Sequence, residues 1–88
     1  MSWTVVMKRR QLRKLGRLPT EVQVLFQALV KDLESSGPLQ PSWRNFSKLS
    51  RDSYHCHLNY GYVACWWNRG ETLIIEVTYV GSRENAPY

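Results

Sequence analysis

Apolar residues in the first half of the chain recur with the period of a helix. The stripe consists of Val22, Leu25, Phe26, Leu29 and Leu33, and the positions between them are mostly polar. This pattern predicts an amphipathic helix over residues 20–35 whose apolar face covers another element. Pro19 and a capping box formed by Thr20 and Gln23 mark its start, and Gly37-Pro38 marks its end.

The remaining segments predict short strands and one short helix. Strands are expected at residues 3–7, 53–59, 62–68 and 72–80, and a helix at residues 8–15, with no clear pattern over residues 42–52. The last three strands are joined by tight turns that contain glycine. The order β-α-α-β-β-β predicts a single α+β domain over residues 1–88. Its two N-terminal helices pack on one face of a small, mostly antiparallel sheet.

Alternation along residues 53–59 assigns side chains to the two faces of the sheet. Tyr54, Cys56 and Leu58 point toward the helix, so His55 and His57 share the uncovered face, with Cα atoms roughly 6.5–7 Å apart. Three interpretations stay open: exposed polar residues, a metal site, or acid–base chemistry. A metal would need a third ligand, for which only Glu76 is a candidate, so neither a metal nor another cofactor is expected. Imidazole titrates near neutral pH, which suits proton transfer.

Charge is concentrated at the start of the chain. The net charge is +5, and the first seventeen residues hold six cations and no acid. The positive balance favours an anionic partner, which is a nucleic acid, an acidic protein or a membrane surface. The one-signed run fits a solvated helix face and a contact with an acidic protein or a phosphate equally well. No apolar run is long enough to span a membrane, and the first residues do not resemble a signal peptide. The expected location is therefore the cytoplasm, where Cys56 and Cys65 would be free thiols.

Further candidates lie near the histidine strand. Arg83 follows the last strand and Tyr88 ends the sequence, while Lys48 and Arg51 precede the histidines and could contact RNA. Of the neighbouring Trp66 and Trp67, alternation places one in the core and leaves the other exposed for base stacking. Histidine, arginine, tyrosine and an aromatic platform fit RNA cleavage by its own 2′-hydroxyl, which requires a base, a cation at the phosphate and an acid.

The order of short motifs resembles the RelE/ParE superfamily of toxins from type II toxin–antitoxin pairs. The motifs are Lys48-Leu49, Tyr54-His55-Cys56-His57-Leu58, Gly61-Tyr62, Val80-Gly81-Ser82-Arg83 and the final Tyr88. This resemblance implies a RelE-like microbial RNase fold. It also implies a metal-independent endoribonuclease that cuts mRNA on the ribosome, and an acidic antitoxin as its protein partner. No small-molecule cofactor and no membrane are implied.

The resemblance also implies roles for individual residues. His55 and His57 match the family's basic pair, one of them being the general base, and Arg83 matches the phosphate clamp. Tyr88 matches the terminal tyrosine that acts as acid or stacking group, and the alignment makes Trp67 the stacking indole.

One position departs from the family pattern. Val63 stands directly after Gly61-Tyr62, where family members usually carry an arginine. Arg51 or Arg69 could substitute for that cation. Two other interpretations stay open: a non-catalytic, ParE-like inhibitor of DNA gyrase that shares the fold, and a family member whose toxicity has decayed.

Overall fold

The computed structural model describes residues 2–88. Its elements are β1 (Thr4–Met7), α1 (Arg9–Leu15), α2 (Thr20–Ser36), β2 (Ser47–Lys48), β3 (Ser53–His57), β4 (Tyr62–Asn68), β5 (Ile74–Ser82) and a 3₁₀ turn (Arg83–Asn85). The expected α+β class and element order are confirmed. The two-residue β2 is an addition from the segment that showed no pattern, and it pairs with β3 through only two positions.

All five strands form one sheet in the order β1-β5-β4-β3-β2. β1 runs parallel to β5, with Thr4 opposite Ile74, and every other neighbouring pair is antiparallel. The hairpin connections expected between β3, β4 and β5 are present. Cys65 lies opposite Tyr79 and Trp66 opposite Val77, so the register shifts there and β5 carries one extra residue, Thr78, at a bulge.

The apolar stripe of α2 packs on one face of the sheet. Its buried members are Val22, Phe26, Leu29 and Leu33, and they contact Tyr54, Cys56, Leu58, Trp66, Ile75, Val77 and Val80 from the strands. Trp66 is fully buried and its Nε1 donates a hydrogen bond of 3.0 Å to the carbonyl of Pro38. Trp66 is therefore the indole in the core. The Pro38 carbonyl provides the acceptor that its buried N–H requires.

The start of α2 differs from the predicted capping box. Pro19 occupies the N-cap position and Thr20 is already helical, so no side chain caps the helix. The side chain of Gln23 instead donates to the carbonyl of Leu18, at 2.9 Å. At the other end, Gly37 adopts a φ of 91°, and a Cβ there would lie 2.7 Å from the ring of Trp3. Glycine is needed at that position both for its backbone and for the close approach of the indole.

α1 lies beside β5, beyond the end of β1, and adds Leu15 to the edge of the core. None of its residues is fully buried; Arg9, Arg10 and Arg13 are exposed, whereas Lys14 is half-buried. Within the described residues, no helix is both long and apolar enough to cross a membrane.

Candidate functional site

Two imidazoles lie side by side on the sheet face opposite α2. The ring centroids of His55 and His57 are 5.7 Å apart. Their neighbours Tyr54 and Cys56 point into the core on the other side, as strand alternation predicts. The site is therefore built on a central part of the sheet, where β3 pairs with β4 along its whole length.

Tyr88 covers one of these imidazoles. Its ring centroid lies 4.3 Å from that of His55, and the two rings are inclined by 45°. On its other side, His55 Nδ1 is 3.0 Å from the hydroxyl of Ser47 on β2. As a result His55 is only 8% exposed, whereas His57 is half-buried. Of the two imidazoles, His57 is the one that a substrate reaches more easily.

The loop before β2 holds His57. The backbone N–H of His57 donates to the carbonyl of Arg44 at 2.8 Å, and the Asn45 side-chain amide lies 3.4 Å from His57 Nδ1. Asn45 has a φ of 52°, a left-handed conformation that asparagine adopts more readily than most residues. This local turn places the charge of Arg44 close to His57.

Arg83 reaches the same end of the sheet from the other side. It follows β5 directly, and its backbone N–H donates to the carbonyl of Gly61 at 2.9 Å. Its positive charge helps to lower the pKa of His57, and at Tyr88 it opposes the larger effect of burial, which raises the pKa of the phenol. The four residues that the sequence proposed as catalytic, His55, His57, Arg83 and Tyr88, are thus brought together at one place.

Burial and neighbouring charge set the protonation states of the site. Burial is the largest cause of a lowered pKa at both His55 and His57. The neighbouring His57 lowers the pKa of His55 further, while Arg83 and then Arg44 lower that of His57. Burial raises the pKa of the Tyr88 phenol. At neutral pH the imidazoles are accordingly neutral proton acceptors and the phenol is a proton donor.

A small apolar cluster forms the floor of the site. It consists of Val63, Cys65 and Tyr79, with Ala86 packed against it. Burial raises the pKa of Cys65 to about 11, so this thiol is uncharged at neutral pH. Val63 is fully buried. The position where the family resemblance predicts an arginine therefore provides packing and no charge.

Lys14 of α1 brings a cation to this floor. Its Nζ lies 3.9 Å from the ring centroid of Tyr79, and its Cε approaches the backbone of Gly81, the residue opposite Val63. Neither Arg51 nor Arg69, which the sequence proposed as substitutes, takes this place. Lys14 was missed because it belongs to a run of cations in which the sequence distinguishes no member.

Two residues predicted to contact RNA lie outside the cluster. Lys48 pairs with Tyr54 in the sheet, and its Nζ is 5.9 Å from the Tyr54 ring, so it lies on the core side of the sheet edge. Arg51 is exposed in the bend between β2 and β3, near the end of β3 that is remote from His57. Their RNA contacts stay a prediction, and any such contact would be made away from the two imidazoles.

Trp67 shares the face of the histidines but is not a free platform. It is half-buried, and its Nε1 donates a hydrogen bond of 3.1 Å to Glu76. The guanidinium of Arg69 lies 5.2 Å from the indole and 3.7 Å from the Glu76 carboxylate. Glu76 is thus engaged by two partners. Within residues 2–88, no group of three or more histidine, cysteine or acidic residues could hold a metal ion.

Comparison of the sequence finds no relative, whereas comparison of the structure finds a known fold. No protein-family model and no curated relative matches the sequence.

Solved structures do match it. The toxin of the archaeal RelE–RelB complex from Pyrococcus horikoshii OT3 superposes with a TM-score of 0.76 at 17% identity, covering 98% of this chain and 100% of that one. The isolated E. coli RelE toxin gives 0.70 at 24% identity, with coverages of 98% and 89%. A metal-bound toxin from Helicobacter pylori gives 0.68 at 18% identity, with coverages of 93% and 96%. The fold expected from the sequence is confirmed: this chain has the fold of the RelE toxins.

Proposed function

We propose that this chain is the toxin of a type II toxin–antitoxin pair, and that it cleaves mRNA without a metal ion. The observation that carries the proposal is the meeting of His57, Arg83 and Tyr88 beside His55 on the open face of a RelE-like sheet. These groups supply a base, a cation and an acid within reach of one phosphodiester.

The reaction follows from the protonation states. The neutral imidazole of His57 takes the proton from a ribose 2′-hydroxyl, and the 2′-oxygen attacks the neighbouring phosphorus. Arg83 stabilises the negative charge that builds on the phosphate oxygens. Tyr88 donates its proton to the 5′-oxygen as the P–O5′ bond breaks, leaving a 2′,3′-cyclic phosphate and a 5′-hydroxyl. His55 holds the Tyr88 ring in place through their contact at 4.3 Å and acts as a positioning residue.

Cations surround this centre on the solvent side. Arg44 lies beside His57, and Lys14 lies over the apolar floor. Both can neutralise phosphates that flank the cleaved one, which partly replaces the charge absent at Val63. Binding of RNA through such contacts weakens steeply with salt. The ribosome, whose surface is largely RNA, is the proposed place of action.

An acidic antitoxin is the proposed protein partner. A groove of about 530 Å³ opens between β1, α1 and α2; its apolar lining includes Val5, Met7, Leu12, Leu15, Phe26 and Val30. Its charged lining residues are Lys31 and Glu34 of α2, and α1, which supplies Leu12 and Leu15, carries the exposed cations Arg9, Arg10 and Arg13. An amphipathic segment with acidic residues on its polar face would match both the apolar groove and this charge.

The test is cleavage of a defined mRNA on purified ribosomes, with 5′ ends mapped. Wild-type chain should produce discrete new 5′ ends, and His57→Gln should lower the rate roughly 10²–10⁴-fold, as loss of a general base does. Lys31→Gln, an exposed change on α2, is the matched control and should cut normally. Intact mRNA in the presence of correctly folded wild-type protein would refute the nuclease.

One observation favours a second function. Val63 is buried where an arginine is usual, which fits a non-catalytic gyrase inhibitor of the same fold. Induction in cells separates the two. Intact mRNA together with a DNA-damage response would indicate gyrase, whereas new mRNA 5′ ends without that response indicate the nuclease.

A further inference from the structure

An exposed aromatic ring lies next to the proposed centre and takes no part in it. Tyr60, at the tip of the β3–β4 hairpin, is 76% exposed. The guanidinium of Arg83 lies 5.0 Å from the centroid of the Tyr60 ring, within the range of a cation–π contact. Arg83 therefore acts on two members of the catalytic group, His57 and Tyr88, and also contacts Tyr60 on the hairpin.

The hairpin tip is held in a fixed conformation. The side-chain oxygen of Asn59 accepts hydrogen bonds from the backbone N–H groups of Gly61 and Tyr62, each at 3.0 Å. The Gly61 carbonyl accepts the 2.9 Å bond from the Arg83 backbone. A ring on such a turn needs little further ordering when a ligand binds, which favours affinity.

A hollow opens beside this ring. It has a volume of about 270 Å³ and is lined by Tyr60, Gly61, Tyr62, Ser82, Arg83 and Glu84. Its lining joins an aromatic ring and a planar guanidinium to the carboxylate of Glu84. The opposite charges of Arg83 and Glu84 offset each other, so the hollow as a whole has little attraction for a second phosphate or an acidic peptide, whereas a neutral planar ring can stack there. Nucleobases stack on both aromatic rings and guanidinium planes.

We propose that Tyr60 and Arg83 form a stacking subsite for the nucleobase that neighbours the cleaved phosphate. The inference rests on the proposed nuclease function and adds to it a residue that positions the substrate. Tyr60 does not touch the reacting atoms. Its effect should therefore appear in substrate binding rather than in the rate of the bound complex.

The experiment measures single-turnover cleavage on programmed ribosomes over a range of protein concentrations. Tyr60→Ala should raise the half-saturating concentration roughly 5- to 150-fold, as loss of one stacked base does, and leave the maximal rate unchanged. Tyr60→Phe keeps the ring and should match wild type, whereas Tyr60→Leu should behave as Tyr60→Ala. Leu39→Ala, also at an exposed apolar residue, is the control and should have no effect.

Abasic nucleotides identify the base. They are placed one at a time around the cleaved bond. At one position the abasic nucleotide should weaken binding by wild type, and at that position wild type and Tyr60→Ala should have equal half-saturating concentrations. Equal half-saturation for wild type and Tyr60→Ala on natural mRNA would overturn the subsite, as would a Tyr60→Ala defect that persists at every abasic position.

A binding arm separates this inference from the nuclease proposal. Uncleavable 2′-O-methyl RNA is titrated against each variant and followed by fluorescence anisotropy. Binding that depends on the Tyr60 ring, without any cleavage of natural mRNA, would support the subsite and refute the nuclease. Cleavage with the same half-saturating concentration in wild type and Tyr60→Ala would support the nuclease and refute the subsite. Loss of antitoxin affinity alone in Tyr60→Ala would assign the ring to a protein interface and overturn the subsite.

Discussion

Replacement of Arg83 by alanine should separate the chemistry of the site from the stability of the fold. Arg83 is exposed, and within the described residues its side chain forms no ion pair. The change in unfolding free energy should stay within about 0.5 kcal/mol, the usual range for such surface sites. For a domain of this size that corresponds to a shift in Tm below roughly 4 °C. Loss of one preorganised charge at the phosphate should lower the cleavage rate about 10²–10³-fold.

The pH profile gives the same substitution a second readout. Of the two arginines that lower the pKa of His57, Arg83 has the larger effect, so its removal should raise that pKa. The acidic limb of the single-turnover rate should then move to higher pH in Arg83→Ala. Lys31→Ala is the control for the cleavage rate and for its pH profile. Antitoxin binding by Arg83→Ala should stay nearly unchanged. Wild-type cleavage by Arg83→Ala would refute the phosphate-clamp assignment, and an unmoved acidic limb would refute the electrostatic link to His57.

Three further predictions concern stability and binding. Because the folded-state pKa of His55 and of His57 lies below the ordinary 6.5, the unfolded chain binds more protons as pH falls through that value. Urea unfolding should therefore show stability decreasing from about pH 7.5 to 5.5, and a His55→Asn/His57→Asn double variant should lack most of this decrease. Leu33→Ala, at a fully buried residue of α2, should cost roughly 2–5 kcal/mol in the same urea assay, and a loss below about 1 kcal/mol would contradict the core assignment. Lys14→Met should weaken RNA binding equally for all sequences and reduce the salt dependence by about one phosphate contact, which titrations at several salt concentrations would measure.

Patterns with a strong period predicted the fold well. The stripe of α2 and the alternation in β3 depend on which side chains are buried away from water. The spacing of apolar residues along the chain shows which side chains these are. The same rule required one of Trp66 and Trp67 to lie in the core, but both faces of this strand are apolar, so only the family resemblance indicated that Trp67 is the outer one. Period-based reasoning therefore also located the face on which the two histidines lie.

Features fixed by tertiary contact could not be predicted in this way. The loop with Asn45 and the short β2 with Ser47 have no period, yet they supply the groups that contact the two imidazoles. Lys14 reaches the floor of the site only because α1 lies beside β5, a position that no local pattern encodes. The predicted capping box is absent because Pro19, and not Thr20, occupies the N-cap position. Proline has no N–H to donate, so the reciprocal hydrogen bonds of a capping box cannot form there.

The parallel pairing of β1 with β5 has a consequence for synthesis. β1 emerges first, but its partner lies about seventy positions later, with Thr4 opposite Ile74. At about 5–20 residues per second, a newly made chain waits roughly 4–14 s before the two can meet. During that interval the hairpin of β3 and β4 can form from neighbouring residues, while Val5 and Met7 still lack their partner strand. Closure of the sheet is thus the late, long-range step of folding, and variants in β1 should slow refolding less than variants in the β3–β4 hairpin.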